Sequence, residues 1–358
     1  MPETVLVTGA FGLVGSAMVK RLVADGRPVI ATGRTSPTNR KAAQKLPSGV
    51  DVRWADLTDS AAIDRLVSEV SPTVIIHLAA VIPPGIYRDA AFARKVNVDG
   101  TAALVRAAES LPNPPRFVHA SSGAVYGAPN PHRFTGLCRA DTPPQPCDVY
   151  GGHKLEAEGL IRSSRLNWVI LRLGGVFTVD PAEEHYDADI LFFGSMLPTD
   201  GRVHTVDVRD VATALAAATT AAVVGETLLI AGDGSHLLKQ HDTLEGPAAA
   251  RGLNGLVTAV RARLGNSESD DDWFINCWMD VSRAQEVLSF QHHSWPDMLA
   301  EMRAAAGWRR YPARLAAPLV RTLAKRQSAY GNWPGEYANP WAAIRMRYGE
   351  PRLDTTSS

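Results

Sequence analysis

Short apolar runs alternate with amphipathic stretches through the first half of the chain. Val5-Leu6-Val7, Val29-Ile30-Ala31, Val52-Arg53-Trp54, Val74-Ile75-Ile76-His77, Phe117-Val118-His119 and Trp168-Val169-Ile170-Leu171 are too short for helices, and most are apolar at successive positions. They predict strands. Between most of them lie segments of helical length: Val14 to Ala24, Ala61 to Val70, Val98 to Ser110 and Gly151 to Ser163. Strand and helix in alternation specify a doubly wound parallel α/β sheet.

From about Gly175 the alternation becomes irregular, then resumes with Val206-Asp207-Val208, the Ala-rich stretch Val211 to Ala222, and Thr227 to Ile230. This pattern reads as a sheet domain interrupted by an excursion. Residues 1–174 and about 204–232 form the sheet domain, while about 175–203 and 233–310 form a smaller lobe, with a substrate crevice between them. From Met302 to Gly335 there are seven basic residues (Arg303, Arg309, Arg310, Arg314, Arg321, Lys325, Arg326) and no acidic ones. Residues 311–358 therefore read as an extension, in which Pro318 interrupts any helix and Asp354 to Ser358 fray. Leu315, Leu319 and Leu323 recur every four residues among the arginines. That face suits an anionic membrane surface, although packing on the protein itself or on a second copy is the expected use.

The 37 basic and 37 acidic residues cancel, which argues against a nucleic-acid partner and for a small-molecule substrate. Three widely spaced cysteines provide neither a disulfide framework nor a zinc site, and no metal is expected. The N-terminus has no leader pattern, and no stretch approaches the ~20 apolar residues of a membrane span, so a cytoplasmic protein is expected.

Thr8-Gly9-Ala10-Phe11-Gly12-Leu13-Val14-Gly15 follows a strand and opens a helix, the context of a dinucleotide loop. Gly9 permits the turn, Gly12 admits the pyrophosphate, and Gly15 lets the helix approach the sheet. After the second strand the chain reads Ala31-Thr32-Gly33-Arg34-Thr35, without the carboxylate that would hold a ribose diol. Arg34 is placed for a 2′-phosphate, so NADP(H) is the favoured cofactor and NAD(H) the alternative. Asp56 and Leu57 after the third strand would meet adenine. Leu78, Ala79 and Ala80 after the fourth leave room for the cofactor, while His77 reads as a packed strand-end residue.

Tyr150 and Lys154 stand one helical turn apart, where an ammonium can lower the pKa of a phenol. Ser122 follows the fifth strand, over the crevice. Together these motifs, with Asn97, Leu171-Arg172 and Val208-Arg209-Asp210-Val211-Ala212, resemble the extended short-chain dehydrogenase/reductase family, also called the NAD-dependent epimerase/dehydratase family, over roughly residues 3–305. The resemblance implies a Rossmann-type domain, a small C-terminal substrate lobe and a homodimer. It makes Tyr150 the acid/base, Lys154 its modulator and ribose anchor, Ser122 the substrate donor, and Asn97 a cofactor-site residue. Gly123 and Ala124 stand where dehydratases of the family carry an acid, which disfavours elimination. The expected activity is hydride transfer between NAD(P) and a carbonyl or secondary alcohol; a nucleotide-sugar epimerase with tightly bound NAD is the alternative.

Overall fold

The computed structural model describes residues 3–183, 188–275, 277–331 and 333–351. Seven strands form one parallel sheet: β1 (Val5–Thr8), β2 (Val29–Gly33), β3 (Asp51–Trp54), β4 (Val74–His77), β5 (Arg116–Ser122), β6 (Asn167–Leu173) and, after two strands of a smaller sheet, β9 (Thr227–Ile230). Their spatial order is β3-β2-β1-β4-β5-β6-β9. The order reverses between β1 and β4, where an open α/β sheet leaves a crevice at its carboxyl edge.

Alternate strand residues enter opposite layers, which explains the continuous apolar runs. Val5, Val7, Ile76, Val118 and Leu171 pack on helices α1 (Leu13–Ala24) and α8 (Val208–Ala218). Leu6, Ile75, Phe117 and Ile170 pack on α3 (Ser60–Val70), α5 (Gly100–Glu109) and α6 (Val149–Arg162). Two further helices, α2 (Pro37–Ala43) and α4 (Ala90–Arg94), carry no strong apolar period and were not foreseen.

A second sheet joins β7 (Gly175–Phe177), β8 (Arg202–Asp207) and β10 (Leu237–Lys239) in the order β10-β8-β7. Val206-Asp207 thus pairs outside the main sheet. Val208 begins a helix rather than ending a strand, because the Asp207 carboxylate accepts the Arg209 N–H as a cap. Helices α7 (Ala188–Met196), α9 (Gln240–Ala250), α10 (Leu256–Ala259), α11 (Ser282–Leu288) and α12 (Trp295–Ala306) complete this region.

The extension is more regular than its composition implies. Helix α13 (Arg310–Lys325) runs through Pro318, contrary to the expected break. Pro318 and Arg314 both face solvent, where water can take the carbonyl that proline leaves without an N–H. Beyond it, α14 (Pro340–Tyr348) buries Trp341 and Ile344 against Ile86, Phe192 and Phe274. The expected fraying of Asp354 to Ser358 lies outside the described residues.

Candidate active site

A cavity of about 820 Å³ opens over the carboxyl ends of β1, β2, β4, β5 and β6. Gly9, Phe11, Gly12, Leu13, Gly15, Arg34, Asp56, Leu57, Leu78, Ala79 and Ala80 line one half. Ser122, Tyr150 and Lys154 line its middle, and Val176, Phe193, Leu197, Val203, Phe274 and Ile275 the other half.

The three glycines of the loop serve different ends. Gly9 has φ +67°, and a Cβ there would lie 2.7 Å from Ala79 N; a Cβ on Gly15 would strike the Gly9 carbonyl. The fold itself demands these two. Gly12 has an extended backbone, and a Cβ there would meet only Gly9 O, at 3.6 Å. Among the described residues nothing requires Gly12 to lack a side chain, whereas a phosphate on the N-terminus of α1 would. The loop therefore fits a dinucleotide.

Beneath this loop a hydrogen-bonded chain fixes β1 to β4. Thr101 Oγ1 donates to Asn97 O (2.7 Å), so it accepts from His77 Nε2 (2.9 Å), and His77 Nδ1 accepts from Thr8 Oγ1 (2.7 Å). The imidazole is neutral and structural. Burial, reinforced by the Lys154 ammonium, pulls its pKa down to about 3, and burial pulls that of His204 down to about 4. A histidine depressed in the folded state is protonated more readily when unfolded, so stability is lost as pH falls from about 6.5 toward these values. At pH 5 each of these two histidines is expected to cost about 2 kcal/mol relative to neutral pH, read as a shift in urea midpoint; an acid-insensitive midpoint would contradict it.

Asn97 does not line the cavity. Its side-chain oxygen accepts from Val81 N (2.7 Å) and its amide donates to Val81 O (2.9 Å), so both ends clamp the segment after β4. Asn97 thereby supports the cavity wall through Val81, which does line it. Asp56 lines the cavity but does not cap α3; its Oδ1 accepts from Thr58 while Asp59 caps the helix. Arg34 reaches the cavity rim with its guanidinium over the Phe92 ring, at 5.9 Å.

The Ser122–Tyr150 face is built by two caps. Ser122 Oγ accepts from Ala124 N (3.1 Å), which turns the chain after β5. Asp148 Oδ1 accepts from Gly151 N (2.8 Å) and starts α6, while its Oδ2 accepts from Tyr87 OH (2.5 Å). A Cβ on Gly151 would lie 2.6 Å from Ala124 O, so glycine there lets the two turns touch and brings Tyr150 beside Ser122. The far end of the chain contributes too: Val149 N donates to Pro351 O (3.0 Å), a contact that no local pattern signals.

The electrostatics differ from the expected tuned phenol. Lys154 is buried and donates to Ala120 O (2.7 Å) rather than to Tyr150. Desolvation raises the Tyr150 pKa to about 12, against a lowering by Ser122, with Asp148 adding repulsion. Burial lowers Lys154 to about 8, opposed by Glu158 one turn on. At neutral pH the chain therefore presents a protonated phenol. Below it, Glu158 accepts two bonds from Arg172 (2.9 and 2.7 Å) and one from Ser121 (2.5 Å), tying α6 to β5 and β6.

None of the tryptophans lines the cavity; Phe177, Phe193 and Phe274 supply aromatic surface away from the glycine loop, and Phe11 and Phe92 near it. Trp273, Trp295 and Trp341 are core anchors. His293 pairs with Asp210 (2.6 Å), and among the described residues no group of three or more metal-ligating side chains converges.

A parallel sheet ordered about a switch point, with a glycine loop on α1 at the same crevice, is the architecture of a dinucleotide-binding fold. The chain belongs to the NAD dependent epimerase/dehydratase family, which matches residues 5–231. A UDP-glucose 4-epimerase of Mycolicibacterium smegmatis is 38% identical over 162 residues, 43% of this chain and 48% of that protein. A D-erythronate dehydrogenase of Cupriavidus necator is 32% identical over 180 residues, 47% and 54% of the respective chains. The chain spans about half the length of such curated relatives. The structure of a Thermus thermophilus UDP-glucose 4-epimerase in complex with NAD shares the fold, with TM-score 0.66, 22% identity, and coverage of 84% of this chain and 99% of that one.

Proposed function

We propose that the protein interconverts a secondary alcohol and its ketone at the Ser122–Tyr150 face, and that it does so as a 4-epimerase of a nucleotide sugar. The observation that carries the chemistry is the placing of Ser122, Tyr150 and Lys154 on the cavity that the glycine loop also lines. The bound nicotinamide supplies hydride exchange. The phenol of Tyr150 gives a proton to the substrate oxygen in the reducing direction and takes one in the oxidising direction. Ser122 accepts from Ala124 N, and its O–H, which lies against the Tyr150 phenol, can turn to the substrate oxygen. Lys154 holds positive charge below the site, and the Ala120 carbonyl and the strand end fix its position. The epimerase relatives support the reading of the substrate. Gly123 and Ala124 put no carboxylate beside Ser122, which speaks against elimination.

One observation favours a second reading, net oxidation or reduction of an apolar substrate. The substrate half of the cavity is lined by Val176, Phe193, Leu197, Val203, Phe274 and Ile275. Its one cation among the described lining residues, Arg202, stacks on Trp278 (4.5 Å) and donates to Pro131 O (3.0 Å) and Gly136 O. A diphosphate would have to displace those contacts. Within either reading Arg34 is assigned to a 2′-phosphate, so NADP(H) is preferred, and two copies pair through the helices flanking the sheet, as the family resemblance implies.

Incubation with UDP-glucose and UDP-galactose, and separately with ketones and NADPH or NADH, tests these readings. Epimer exchange without net change in nicotinamide absorbance is the expected result for the first, stoichiometric oxidation of NADPH for the second, and neither would reject both. Arg34→Ala should weaken NADPH binding about tenfold or more and leave NADH unchanged; equal effects on both would remove Arg34 from cofactor choice.

A further inference from the structure

Helix α13 turns an apolar face to solvent. At 3.6 residues per turn, Ala313, Ala317, Val320 and Ala324 share its inner side. Ala317 and Ala324 are buried, the latter in a cluster with Leu256 of α10 and Val260, which follows it. The opposite side carries Leu315, Leu319 and Leu323, which are 85%, 64% and 50% exposed. Tyr311 and, just before the helix, Trp308 extend the same stripe and are exposed as well. A leucine stripe flanked by aromatic residues is what a monomer ordinarily covers. Among the described residues nothing covers this one, whose leucines are exposed.

The charges beside that stripe indicate its partner. Arg314, Arg321 and Lys325 fall in a row along one border, and Arg309 and Arg326 stand at the ends. Among the described residues none of these five pairs with a carboxylate, and no acidic residue occurs from Met302 to Gly335. A second copy docked face to face would bring two basic rows together with no acid between them, which disfavours self-association. A surface that is negative at its rim and apolar just below it satisfies both features at once: the acyl boundary takes the leucines and the phosphates take the arginines. The helix is 16 residues long, and no helix among the described residues is long and apolar enough to cross a membrane. It would lie in the plane of the interface.

We propose that α13 docks this protein on an anionic lipid bilayer. The proposal stands on the surface of α13 alone and is independent of the chemistry assigned to the cavity. The full-length protein is floated with phosphatidylcholine vesicles, with and without phosphatidylglycerol, at low and high salt. The wild type is expected to float with phosphatidylglycerol present, to stay behind with phosphatidylcholine alone, and to be released by salt. The combined change Leu315→Ser, Leu319→Ser and Leu323→Ser should reduce the bound fraction about tenfold or more, from the apolar area removed. Arg314→Gln with Lys325→Gln should reduce partition about fivefold per charge. All five positions are solvent-exposed, so unchanged circular dichroism and thermal midpoints are expected alongside the loss. A wild type that stays behind with phosphatidylglycerol vesicles, or a serine variant that floats like it, overturns the proposal. So does sedimentation as a dimer that the serine changes dissolve while vesicles are ignored, since that assigns the stripe to a second copy.

Discussion

Tyr150→Phe is expected to lower kcat by about 10²- to 10⁴-fold, the usual worth of a placed general acid or base, with cofactor affinity intact. The substitution removes one oxygen and keeps the ring that packs in the cluster with Ile86, Val149 and the C-terminal Trp341. The variant is therefore expected to fold, because a phenol buried to a pKa of about 12 contributes no charge at neutral pH. Ser122 and Lys154 stay where the Ala124 amide and the Ala120 carbonyl hold them. The loss should fall on kcat, since the missing proton is needed when charge develops on the substrate oxygen. Initial rates and nicotinamide titration of both proteins would check this; near-wild-type turnover would remove Tyr150 from the chemistry.

Much of the sheet could be read from the chain because its strands are buried on both faces. Runs such as Val74-Ile75-Ile76 need no partner to be recognised, and the turn that follows β1 is punctuated by Gly9, Gly12 and Gly15. The second sheet was less legible. Its strands are three to six residues long, and β8 acquires its place only from Gly175 and Leu237, distant in sequence. The proposed catalytic residues were visible as a motif, but their electrostatics were not. Whether Lys154 lowers the phenol depends on where its ammonium is bonded, and the Ala120 carbonyl lies 34 residues away. Asn97 shows the same limit: the family resemblance gives it a place near the cofactor, while its amide bonds to Val81 at both ends follow only from the fold. The extension misled in the other direction, since Pro318 suggests a break that a solvent-facing position tolerates.

Gly12→Val is expected to abolish dinucleotide binding while the protein still folds. The backbone at Gly12, φ −83° and ψ 176°, is open to any residue, and a Cβ would rest 3.6 Å from Gly9 O in ordinary contact. The cost to the fold is limited to a poorer helix cap, about 1 kcal/mol. The new methyl groups would instead occupy the space in front of the first amides of α1, where the loop meets phosphate. Gly9 and Gly15 could not serve as this probe, because a side chain at either strikes backbone and unsettles the sheet itself. The central claim, that this crevice is a nicotinamide site, is tested most directly by calorimetric titration of NADPH and NADH into wild type and Gly12→Val. The account predicts binding by the wild type, none by a variant of nearly unchanged thermal midpoint, and would be contradicted by equal binding to both or by a folded wild type that binds neither nucleotide.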